Sequence, residues 1–65
     1  MFKFSPGDAV TVVDLRLLLL YKLNSKTVFT TKQVWWSVLS DEEMVILEWE
    51  GITYVVSTLG LKLYV

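Results

Sequence analysis

The stretch VWWSVLSDEEMVILEWEGITYVV, residues 34–56, decides the fold, because its apolar residues alternate about a single recognisable turn. Glu50-Gly51 is a two-residue connection in which glycine accepts the positive φ that a hairpin turn matched to strand twist demands. The flanking residues then pair directly, Trp49 with Ile52, Leu47 with Tyr54 and Val45 with Val56, and side chains alternate between the two faces. With residues 40–43 as a four-residue loop, Leu39 faces Met44, Val38 faces Val45, Trp36 faces Leu47 and Val34 faces Trp49.

This register sorts the stretch into two unlike faces. One carries Val34, Trp36, Val38, Val45, Leu47, Trp49, Ile52, Tyr54 and Val56 and is the expected core. The other mixes Ser37, Glu48, Thr53 and Ser57 with five apolar residues: Trp35, Leu39, Met44, Ile46 and Val55. Those five are the candidate partner-binding patch. Their alternative is a second core covered by residues 16–31, the arrangement expected first, since a small domain with surplus apolar surface buries what it can. A helical reading competes over part of the same stretch. Thr30-x-x-Gln33 and Ser40-x-x-Glu43 match the helix capping box, and Gly51 suits a helix C-cap. Residues 41–50 nevertheless give no apolar stripe at helical spacing, whereas they sort well as a strand.

Toward the N-terminus, Phe2 and Phe4 flank Lys3 as in an extended lead-in, and Ser5-Pro6-Gly7-Asp8 is turn chemistry. Residues 9–13, AVTVV, read as a strand. Residues 14–23, DLRLLLLYKL, fit two periods. Leucine favours a helix, and Thr11-x-x-Asp14 offers a cap, yet Leu15, Leu17, Leu19, Tyr21 and Leu23 alternate with their neighbours as in a strand. A strand is expected, forming with residues 27–31 a hairpin about the turn Asn24-Ser25-Lys26. Beyond Val56, residues 57–60 suggest a turn of 3₁₀ helix ending at Gly60, and residues 61–65 a last short strand.

Three segments carry a resemblance. Phe4-Ser5-Pro6-Gly7-Asp8-Ala9-Val10, the glycine-turn hairpin from Met44 to Tyr54, and Leu59-Gly60-Leu61-Lys62-Leu63-Tyr64 together resemble an SH3-like small barrel of the broad type found in KOW and related bacterial or phage modules. The last segment looks like the one-turn helix and closing strand of such barrels. The resemblance covers about half the chain and implies a fold, not a ligand. Of the residues with which signalling SH3 domains take proline-rich peptides, only Trp35-Trp36 has a counterpart, and the basic loop and glycine of nucleic-acid-binding KOW modules are not evident. The expected fold class is thus all-β: a small SH3-like barrel or a strongly bent antiparallel sheet of five to six strands. The alternative is α+β, with helices in 14–39 packed on a C-terminal hairpin.

At 65 residues the chain is a single small domain that buries only about 60% of its unfolded surface. With 54% apolar residues, it must leave large side chains outside, which favours self-association or a protein partner. The absence of cysteine and histidine removes the thiol nucleophile, the commonest general base and the commonest metal ligands. An enzyme is therefore not expected, nor a cofactor or a metal. Ser37, Ser40 and Ser57 have no histidine to activate them, Gly7, Gly51 and Gly60 make no phosphate loop, and Glu48 and Glu50 lie about 7 Å apart on one strand face without a cleft. Asp41-Glu42-Glu43 reads as a solvated loop, since three consecutive acids rarely converge on one cation.

Charge is uneven: residues 1–33 carry five bases and two acids, residues 34–65 five acids and one base. The alternative to protein binding is accordingly a nucleic-acid contact through Arg16, Lys22, Lys26 and Lys32, with Tyr21 or Phe29 stacking on bases. An isoelectric point near 5.1 weighs against it. The apolar run 15–23 is interrupted by Arg16 and Lys22 and is too short to span a bilayer, and the N-terminus lacks signal-peptide features, so a cytoplasmic protein without membrane contact is expected. The function expected from these features is a small non-catalytic protein-interaction module, such as a phage or mobile-element accessory protein acting on a protein partner.

Overall fold

The computed structural model describes residues 2–65. Its elements are β1 (Ala9–Val12), α1 (Leu15–Tyr21), β2 (Phe29–Ser37), β3 (Glu42–Trp49), β4 (Ile52–Ser57), a 3₁₀ turn (Thr58–Gly60) and β5 (Leu61–Leu63). The strands form one antiparallel sheet in the order β4-β3-β2-β1-β5, and it is not closed into a barrel. The chain is therefore mostly β, as expected, in the form of a five-stranded sheet.

The β3–β4 hairpin has the register its turn dictates. Trp49 pairs with Ile52, Leu47 with Tyr54 and Val45 with Val56. Glu50 and Gly51 have φ of 50° and 79°, both positive as a type I′ turn requires.

β2 departs from expectation. It begins at Phe29 rather than Val34 and pairs Val34 with Val45, Trp35 with Met44 and Trp36 with Glu43, four residues away from the register that a loop over 40–43 implies. The connecting turn is residues 38–41, where Asp41 takes a φ of 54°. A slip of four preserves which face each residue occupies. The cause lies upstream. The pairing is irregular between Thr31 and Gln33, so Lys32 is an extra residue, and the bulge re-phases the strand. Phe29 and Thr31 thereby point inward on one side of the bulge and Val34 on the other. Phe29 is fully buried and also pairs with Val10 of β1, so residues 29–31 belong to the central sheet and not to a separate hairpin.

The second departure is α1. Residues 14–23 are helical where a strand was expected. Val13 and Asp14 both donate their backbone N–H to the carbonyl of Gly60, at 2.8 and 3.3 Å, which turns the chain off the sheet after β1. Asp14 then caps the helix, its carboxylate accepting the Arg16 N–H at 2.8 Å. Lys22 ends it in the left-handed region, with its N–H on the Leu18 carbonyl. Helical spacing places Leu17, Leu18 and Tyr21 on one side, and Leu17 and Leu18 pack on the core.

That core comprises Phe4, Val10, Val12, Phe29, Val45, Leu47, Val56 and Leu61, with Leu23, Val34 and Tyr54 packed against it. Tyr54 is central. Its ring meets Phe29 edge-on at 5.7 Å and Tyr21 at 5.4 Å. Four residues assigned to the core face lie outside it: Trp36 is 50% exposed, and Val38, Trp49 and Ile52 are exposed as well. They share the inward side but sit at the ends of their strands or in the turn, past the elements that cover the middle.

Candidate functional site

Five strands and one seven-residue helix cannot cover both faces of the sheet. Leu17, Leu18 and Leu23 pack on the face that carries Val45, Leu47 and Val56, so residues 16–31 do not cover the opposite face. The second core expected beneath that segment does not form.

On the uncovered face, Trp35 lies directly across from Met44, and Ile46 directly across from Val55. Met44 and Ile46 are two apart on β3 and share that face. Trp35, Met44 and Ile46 are half-buried and Val55 is 53% exposed. Such cross-strand neighbours stand about 5 Å apart, which makes these four a continuous apolar stripe across β2, β3 and β4. Leu39, the fifth residue of the candidate patch, is not part of it. It sits in the 38–41 turn, fully exposed, because the turn begins two residues earlier than the alternation suggested. Around the stripe lie Gln33, Ser37, Thr53 and Ser57, and an ion pair between Lys32 and Glu48 at 3.2 Å.

A second apolar surface escaped the sequence reading. Leu15, Leu19 and Leu20 form the outward side of α1, each at least 70% exposed. The signal was present: a helix that is apolar all round must leave one side bare when only one side has a sheet to meet.

The acidic run 41–43 is also not a plain solvated loop. Glu43 belongs to β3 and is buried. One carboxylate oxygen accepts the Phe4 N–H at 2.9 Å and the other accepts the Thr58 hydroxyl at 3.3 Å. Beside it is a pocket of about 140 Å³ lined by Trp36, Asp41, Glu42 and Leu59, with Lys3 in the same cleft.

The basic residues are scattered. Arg16 pairs with Asp14 at 3.3 Å and Lys32 with Glu48 at 3.2 Å. Lys22 caps α1 and Lys26 occupies the 24–27 turn, where its N–H bonds the Asn24 side chain. Tyr21 lies edge-on against Tyr54, and Phe29, fully buried, is closed to stacking on a base. Among the described residues no helix is long and apolar enough to cross a membrane.

Compared with protein-family models, curated proteins and solved structures, the chain matches none.

Proposed function

We propose that the chain is a non-catalytic protein-interaction module whose contact surface is the stripe Trp35, Met44, Ile46 and Val55, with Leu39 at its margin. The observation that carries this reading is that α1 packs on the other face of the sheet, leaving a tryptophan, a methionine and two β-branched residues side by side on a face that no other element among the described residues covers. Tryptophan and methionine are enriched at the centres of protein interfaces, where a rigid ring and an adaptable thioether fill a partner's pockets. The lack of histidine and cysteine supports a binding role over a catalytic one. A 3₁₀ turn leading into a short strand beside β1 supports an SH3-like arrangement of the strands.

Nucleic-acid binding has less support, because two of its four cations are already paired with acids. Purified chain carrying a photo-crosslinker at Ser37, on the same face as Trp35 and away from the β4 edge, tests the interaction reading. A discrete set of crosslinked proteins, lost in Trp35→Ala while the circular dichroism spectrum is retained, is expected. The same set captured equally by folded Trp35→Ala overturns the patch.

A further inference from the structure

Open sheets carry a hazard at their rims, and the two rims of this one differ. β5 has three residues with Lys62 at its centre, a short charged edge of the kind that discourages pairing. β4 has six residues, Ile52-Thr53-Tyr54-Val55-Val56-Ser57, with no charge, no proline and no bulge in its pairing with β3. Thr53 and Val55 are exposed.

The hairpin turn determines which backbone groups of β4 are free. Trp49 and Ile52 flank a two-residue type I′ turn, so they form a hydrogen-bonded pair, and the pattern alternates along the strand. Ile52, Tyr54 and Val56 direct N–H and C=O toward β3. Thr53, Val55 and Ser57 direct theirs outward, a row of three donors and three acceptors.

We propose that two copies of this chain pair through their β4 edges, antiparallel about a twofold axis at Val55, joining two five-stranded sheets into one of ten strands. The row is self-complementary about that axis. Val55 meets Val55 of the second copy, and Thr53 meets Ser57 in both directions, so each outward donor faces an outward acceptor and no two like charges oppose one another. On the inward face Tyr54 stands opposite Val56 of the second copy. On the other face the two Val55 side chains meet, and the stripes of the two copies become one surface. This pairing does not depend on the stripe having a partner. A contact one strand long, about 20 Å, buries less than the roughly 1,600 Å² of a standard interface, so the dimer is reversible and forms in the micromolar range or above.

Sedimentation velocity on the full chain from about 1 μM to about 1 mM tests the proposal. The expected result is a shift from a 7.5 kDa species to one of twice that mass across the range. Val55→Lys, which sets two ammonium groups side by side at the axis, raises the midpoint at least tenfold, while Lys62→Glu on the other rim leaves it unchanged. Should Val55→Lys unfold, crosslinking decides. The chain has no cysteine, so Val55→Cys treated with a short bifunctional thiol reagent gives covalent dimer and Lys62→Cys does not. A monomer throughout the range, or a dimer that neither responds to Val55→Lys nor crosslinks through Val55→Cys, overturns the pairing. Either result leaves the capture experiment with Trp35→Ala to stand or fall on its own.

Discussion

Glu43 and Thr58 are joined by a buried hydrogen bond of 3.3 Å, which ties the start of β3 to the 3₁₀ turn that delivers β5 to the sheet. The other oxygen of Glu43 holds the Phe4 N–H, so one side chain fixes both ends of the chain to the sheet. Glu43→Ala strips both donors of their acceptor at a buried position and is expected to cost about 2–3 kcal/mol, a large share of what a domain of this size has. Thr58→Val removes one bond and costs about 1 kcal/mol. Urea denaturation of the two variants and the double mutant checks this. The expected double mutant is more stable than the sum of the single losses implies, by at least about 0.5 kcal/mol, because the residues share one bond.

Gly60 sits where α1 meets the 3₁₀ turn. A Cβ at this position would lie 2.8 Å from Leu17 Cδ1 and 2.9 Å from Asp14 Cβ. Leu17 can rotate away, but Asp14 is held by its N–H on the Gly60 carbonyl and by its own cap. Gly60→Ala is therefore expected to lower stability by about 1–3 kcal/mol and to reduce helical circular dichroism. In Gly60→Ala combined with Leu17→Ala, the penalty for the added methyl falls but does not vanish, because the Asp14 contact remains.

These contacts explain how far the sequence could be read. The β3–β4 hairpin was legible because Glu50-Gly51 sets its register from within two residues. Trp35 and Trp36 were correctly placed on opposite faces because alternation survives any even slip, but Trp36, expected in the core, is 50% exposed. The β2 register was not legible, since loops at 38–41 and 40–43 give the same faces, and the choice between them depends on Phe29 and Thr31, which strict alternation places on the wrong side until the bulge at Lys32 is allowed. The helix was hidden for a different reason. A run of leucines satisfies both periods, and what decides between them is a carbonyl at Gly60, 46 residues beyond Asp14 in the sequence. Alternation thus placed Trp35, Met44, Ile46 and Val55 on one face, while which face the helix covers hinged on α1 itself.

Thr31 carries a polar atom without a partner. Its side-chain oxygen is buried and makes no hydrogen bond, in a residue that is 1% exposed. Valine has nearly the same shape and no hydroxyl to desolvate. Thr31→Val is accordingly expected to stabilise the fold by about 1 kcal/mol, which moves the melting temperature up by roughly 4–8 °C in a domain of this size. Thermal melts followed by tryptophan fluorescence check it, and a fall in melting temperature contradicts the assignment of the Thr31 hydroxyl as buried without a partner.

The cap of α1 makes part of the stability acid-labile. The Asp14 carboxyl is held below its ordinary value of 3.8, first by the hydrogen bond from the Arg16 side chain and next by the Arg16 backbone N–H. Because the folded value is the lower one, the native state favours the carboxylate. The stabilisation is complete above the unfolded value and disappears as pH falls through the folded one. Asp14→Asn keeps a capping side chain but not the charge, so its melting temperature is expected to lie below that of the wild type at neutral pH and to converge with it below pH 3.8. Arg16→Ala removes the leading cause and leaves the backbone N–H in place. The Asp14 carboxyl, followed by carbon NMR across an acid titration, should therefore move part of the way back toward its ordinary value and stop short of it. A complete return would mean that the cap bond does not hold the carboxylate in solution.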